Sequence, residues 1–267
     1  MARCTFRFRQ NAALALPSGS PLVHTPPTEQ RQDRAAKPWL YSGWALAGLA
    51  VAVVGFSSTF FLPSMRGQFL APPVVHLHAA FAFGWVLLLV AQTQLVRIRR
   101  VRWHRRLGVV GASFAAGLVL TGVPVGLWAT RRDLDAGLGD VARGQYVNIL
   151  IELAVFGSLV LAGVLKRHDR EWHKRLLLLA TISVLGPAWF RFRHLFPAVP
   201  NPLITFSLLA DAVLLVVIGQ EWASRRRVHL AFVTVAPAMV AVHLAELFLS
   251  QSPLWLALAR RLLGEAG

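Results

Sequence analysis

Residues 75–108 read VHLHAAFAFGWVLLLVAQTQLVRIRRVRWHRRLG, and this stretch decides the solvent in which the chain folds. Its first part is an apolar run with His76 and His78 near the start. Its last part sets Trp103 and His104 among Arg97, Arg99, Arg100, Arg102, Arg105 and Arg106. A helix crosses a ~30 Å hydrocarbon core with ~20 apolar residues. Lys and Arg are concentrated in the loops that stay cytoplasmic. The stretch therefore predicts a transmembrane helix that ends in a cytoplasmic basic loop.

Working outward, runs of the same kind predict spans at about 38–61, 74–96, 107–129, 145–165, 174–190, 203–222 and 228–250. The expected fold is an all-α integral membrane protein with seven transmembrane helices, the N-terminus cytoplasmic and the C-terminus periplasmic. Residues 1–37, rich in Arg, Pro, Ser, Thr and Gln, read as a disordered basic cytoplasmic tail. The seven-helix domain takes 38–250, and the tail 251–267 reads as a short interfacial helix. Gly108, Gly111, Ala112, Ala115, Ala116 and Gly117 in the third span are small residues of the kind that let membrane helices approach closely.

The composition agrees. Hydrophobic residues make up 55% and charged residues 15%, with mean hydropathy +0.53, whereas globular proteins carry about 25% charge. A net charge of +16 suggests nucleic acid in a soluble chain. Here 20 of the 28 Lys and Arg residues fall in the N-terminal tail and the three loops expected on the cytoplasmic side. Such blocks form no single groove, so the expected partners are the lipid bilayer and its anionic headgroups, not nucleic acid. The single Cys4 excludes an intrachain disulfide framework and a Cys-rich metal site. No phosphate-cradling glycine loop, nucleophile elbow or H-E-x-x-H motif is present, so hydrolase and kinase chemistry have no residue support. The chain leans away from an enzyme.

Ionisable residues inside spans are costly and mark function by default. Five of them, His78, Glu152, Asp211, His243 and Glu246, are expected in the outer half of the membrane. They are candidates for a ligand site or proton path. The alternative is local pairing that locks helices together, for example Glu152 or Asp211 with Arg191. On the inner side, His104 and His173 each follow a Trp and precede two basic residues. If their helices adjoin, the two imidazoles are candidate axial ligands of haem b. Otherwise both are solvated interface residues. The surrounding segments VRWHRRLGVVGAS and REWHKRLLLLATIS echo one another and suggest two related helical hairpins.

The motifs VHLH…W…AQTQL…WHRRLG and WHKRLLLLATISVLGPAWFRF, followed by a sixth-span Asp and a basic loop with His, resemble an uncharacterised family of bacterial multi-pass membrane proteins. The resemblance covers roughly residues 40–250 and implies a bacterial inner-membrane location. It carries no activity. That family commonly has His-Pro after the last basic loop, where this chain has His229-Leu230. The His104/His173 arrangement is also loosely similar, at the level of fold, to cytochrome b561. The expected role is a small haem-binding or redox membrane protein. The alternatives are a transporter or ion-coupled sensor with an outer-half polar cavity, and an assembly protein without ligand.

Overall fold

The computed structural model describes residues 39–265, and the tail assigned to residues 1–37 lies outside the described residues. Seven helices are long and apolar enough to cross a membrane. They are α1 (Trp39–Met65), α2 (Pro73–Arg97), α3 (Val101–Asp135), α4 (Asp140–Leu165), α5 (Arg170–His194), α6 (Pro202–Arg225) and α7 (Leu230–Leu249). A shorter α8 (Pro253–Leu263) follows. Among the described residues there is no strand.

The spans match the expected order, but several begin earlier than hydropathy suggests. Only Ile98–Arg100 separate α2 from α3, so Arg102, Arg105 and Arg106 lie on the first turns of α3 and not in a loop. Likewise α5 starts at Arg170, capped by the Asp169 side chain, which accepts from the Glu171 and Trp172 N–H groups. An apolarity window ends a span at the first charges. Backbone hydrogen bonding continues through them wherever water or headgroups are available.

Helix α5 is the hub. In its apolar stretch 56% of residues are buried, against 17–33% in the other six spans. It packs against α1, α4, α6 and α7, while α2, α3 and α4 run as successive neighbours. The interruption within α5 follows its sequence: Leu185 separates two helical segments just before Gly186-Pro187, and the second has Pro187 in its first turn. Many large apolar residues point outward, including Val109, Leu120, Leu161 and Leu215. For a protein in lipid, that is the expected surface.

Close helix approach occurs where glycine leaves room. A Cβ on Gly117 would meet the Phe81 ring of α2 at 2.6 Å, and one on Gly122 would meet Leu153 of α4 at 2.5 Å. Gly111 has nothing within 4 Å of that position, so it is not one of these contacts. Helix α8 is amphipathic in a particular way. Trp255, Ala259 and Leu263 are buried, with Trp255 Nε1 donating to the Arg143 carbonyl of α4, while Leu254, Leu258 and Leu262 are exposed. Ion pairs of Arg143 with Glu265 and of Arg260 with Asp140 hold it there.

Helix α7 begins with an unusual cap. His229, in the loop before it, accepts from the Ala231 N–H through Nδ1 at 3.1 Å, and its ring packs edge-on to Trp172 at 5.4 Å. Acceptance at Nδ1 requires that nitrogen to be unprotonated. Burial holds the His229 pKa below its ordinary value, and the Arg175 guanidinium pushes the same way against Glu171, Glu221 and Asp169. Because the folded state binds this proton less well than the unfolded chain, the stability it contributes is complete above the unfolded histidine pKa of about 6.5 and is lost as pH falls below it. In thermal unfolding of the detergent-solubilised protein, His229→Asn should keep the cap and flatten the acid-side loss. His229→Ala should lower stability at neutral pH by on the order of 0.5–2 kcal/mol.

Candidate functional site

Three polar centres lie within the bundle, two near the arginine-rich helix ends and one toward the opposite end. The last is built on α4, α6 and α7. Helical spacing puts Asn148 and Glu152 on one face of α4, and His243 and Glu246 on one face of α7. His243 Nδ1 lies 2.6 Å from Asp211 Oδ1, and its Nε2 lies 3.0 Å from Glu152 Oε1. One imidazole thus joins carboxyl groups from two other helices. Glu246 is buried and within electrostatic reach of all three groups. Glu152 Oε2, Glu246 Oε1 and Asn148 Oδ1 are buried without a hydrogen-bond partner.

The proton count of this centre follows from its bonds. Each of the two imidazole–carboxyl hydrogen bonds needs a proton, and a neutral imidazole brings one. The second must be taken up, either as imidazolium or as a carboxylic acid. No Lys or Arg forms an ion pair with Glu152, Asp211 or Glu246 among the described residues. The site therefore combines three carboxyl groups, one imidazole and orphaned acceptor oxygens in a low-dielectric setting, which favours a cation or proton. His243, Glu152 and Asp211 keep roughly a fifth of their side-chain surface accessible, so the centre is not sealed.

The structure does not bond His78 into this centre. Its Nδ1 lies 3.0 Å from Thr121 Oγ1 on α3, and that hydroxyl donates to the Gly117 carbonyl, so His78 is the donor. The Thr121 bond satisfies the histidine locally, a pairing that spacing along α2 does not reveal. Arg191 also stands apart: it donates to the Pro187 carbonyl and lies 4.3 Å from the Phe56 ring centre.

The second centre is the histidine pair. His104 and His173 have ring centroids 6.3 Å apart with perpendicular planes. His173 Nδ1 donates to the Gly163 carbonyl of α4 at 2.7 Å. His104 lies beside the Gln92 carbonyl of α2, with its Nδ1 buried and unpaired. Each histidine of the repeated Trp-His motif thus reaches back to the preceding helix, and the two meet. Both side chains are half-buried. Among the described residues no group of three or more His, Cys, Asp or Glu is arranged to hold a metal ion.

The third centre lies beside one of the basic loops. Arg175 is fully buried, and its guanidinium pairs with Glu221 of α6 and with Glu171 at 2.7 Å. Glu221 is itself 3% exposed, and Arg225 reaches Glu171 at 3.0 Å. Lys174 lies over the Tyr41 ring of α1 at 5.2 Å, and Trp44 donates to Gln220 at 2.6 Å. Arg175 sits in a run of basic residues, where the residue type alone points to solvent. The available signal was its place one helical turn after Glu171, on the face of α5 that enters the core.

Comparison with protein-family models, with curated proteins and with solved structures finds no match.

Removing one partner from a buried ion pair leaves an uncompensated charge, whereas replacing both by apolar groups is often neutral. Glu221→Gln should destabilise the protein by about 3–5 kcal/mol. The double variant Arg175→Met/Glu221→Leu should recover most of that loss, as read from thermal unfolding in detergent.

Proposed function

We propose that the chain is a proton-coupled membrane carrier, with the Glu152–His243–Asp211 centre and Glu246 as its proton-binding site. The doubly bonded imidazole of His243 carries this reading, because its two hydrogen bonds require a proton beyond those of the deprotonated groups. Buried ionisable side chains on several helices are the usual material of proton relays. A proton taken up or released here changes which of three helices are bonded together, and so couples protonation to helix position. The Lys and Arg bias of the sequence supports a bacterial inner-membrane protein with its N-terminus in the cytoplasm and its C-terminus in the periplasm. In that orientation the proton site opens toward the periplasm, and the basic helix ends meet anionic headgroups.

The test requires no knowledge of the substrate. Infrared spectra of the reconstituted protein, titrated with pH, should contain a protonated-carboxyl band that changes intensity. Glu152→Gln, Asp211→Asn and Glu246→Gln should each alter it. If no such band titrates, or if none of the three variants changes it, the proton-site reading fails.

A second reading, haem binding with a redox role, is favoured by the separation of His104 and His173. A metal held by both imidazoles would lie between two rings whose centres are several ångströms apart. The ring centres of His104 and His173 are 6.3 Å apart. Donation from His173 Nδ1 to a carbonyl leaves Nε2 as the ligating nitrogen, the role such an outer bond has at metal sites. Two protein ligands require a metal that brings its own equatorial ligands, and haem b does so. Arg102, Arg105 and Arg106 are cations available to its propionates. The protein expressed with haem precursor should then show a Soret band that shifts on reduction with dithionite and is lost in His173→Ala. A colourless wild-type protein removes this reading and leaves the first intact.

A further inference from the structure

Two of the polar centres lie on the same helix faces, one above the other. Between Asp211 and Glu221 on α6 the buried residues are Leu214 and Val217. Steps of three and four residues keep all four on one face. At 1.5 Å per residue, Asp211 and Glu221 are ~15 Å apart along the helix axis. On α7 the residues Phe232, Ala236, Met239, His243 and Glu246 form a stripe of the same spacing. Phe232, at its inner end, has its ring centre 5.7 Å from the Arg175 guanidinium. On α4 Phe156 follows Glu152 by one turn, and on α5 Leu179 follows Arg175 by one turn, both without exposed surface. Leu214, Val217, Ala236, Met239, Phe156 and Leu179 belong to one contiguous buried cluster. They form an apolar layer between the acid–imidazole centre and the Arg175–Glu221 network. The α5 hydroxyls beside Leu179, those of Thr181 and Ser183, donate to the backbone carbonyls of Leu177 and Ala180. Neither offers water a free donor.

Access to the two centres is unequal. His243, Asp211 and Glu152 remain partly accessible, whereas Arg175 and Glu221 are buried. We infer that the apolar layer is the barrier that confines proton exchange at the acid–imidazole centre to that end of the bundle. The Arg175–Glu221 network closes the other end. A proton crossing the layer gives up its hydrogen bonds over a stretch that supplies no acceptor, and burying an unpaired charge is costly. Apolar constrictions in membrane pores close by staying dry for the same reason. A proton-coupled carrier needs such a barrier, because a site open to both ends at once would dissipate the gradient that drives it.

This inference rests on the proton-coupled reading and names what keeps that site one-sided. The test is proton entry into lipid vesicles containing the full chain, read by an enclosed pH-sensitive dye after external acidification. Potassium and valinomycin hold the membrane potential near zero. Without substrate, the wild-type protein should match empty vesicles. Leu214→Asn places an amide in the layer and should raise the rate about ten-fold, or ~1.4 kcal/mol off the barrier. Adding Asp211→Asn should lower that rate again, because the path runs through the proton site. Val217→Thr keeps the shape of the side chain and provides a second arm if Leu214→Asn does not fold; it should also raise the rate. Leu215→Asn, on the exposed side of the same helix turn, is the control and should leave the rate unchanged. A wild-type protein that passes protons faster than empty vesicles overturns the inference, as do layer variants no leakier than Leu215→Asn. A leak that Asp211→Asn leaves untouched also overturns it, because that leak bypasses the proton site. A carboxyl band that still titrates in a protein whose layer variants stay tight removes the barrier and leaves the proton site standing.

Discussion

The interaction on which the bundle depends is the contact of Arg175 with Glu221. A guanidinium with no exposed surface cannot remain in a membrane core without acceptors, and α6 supplies one. Glu171 and Arg225 extend the pair into a chain of alternating charges. The helices that must close around it, α1, α6 and α7, all pack on α5. In lipid, apolar surface contributes little to helix association, because tails are as apolar as leucine. Polar groups that would otherwise be unsatisfied are then decisive, and this network makes α5 the central helix.

The same rule explains why the polar centres are separate. Each draws on different helix faces and forms its own bonds. The histidine pair joins the two hairpins α2–α3 and α4–α5 near their arginine-rich ends. The acid–imidazole centre joins α4, α6 and α7 toward the opposite end. Between them Trp85 of α2 donates to Thr181 of α5 and packs edge-on to Phe156 of α4. Among the described residues, the buried carboxyl oxygens without partners belong to the acid–imidazole centre. A network that is fully paired holds helices together. One that is short of donors is ready to accept them.

Much of the candidate site was legible from residue type. Asp211, Glu152, His243 and Glu246 stand out because charge inside an apolar run is expensive, and the structure brings all four together. His78 stood out for the same reason, yet Thr121 on the neighbouring helix satisfies it. His104 and His173 were marked by a repeated motif, and their apposition required α3 and α5 to begin earlier than their hydropathy implies. Arg175 was hard to see because residue type does not separate a buried arginine from the four other Lys and Arg residues in the same segment. Its partner, Glu221, is far away in the chain.

By itself the sequence determined the seven spans, their order and the unequal division of basic residues. These depend on local properties: the length of an apolar run, the cost of charge within it and the composition of the loops. Tertiary structure alone decided which charges are buried and which histidines meet. Those outcomes depend on which helix faces are apposed, and a polar side chain is satisfied or orphaned only by what lies across from it.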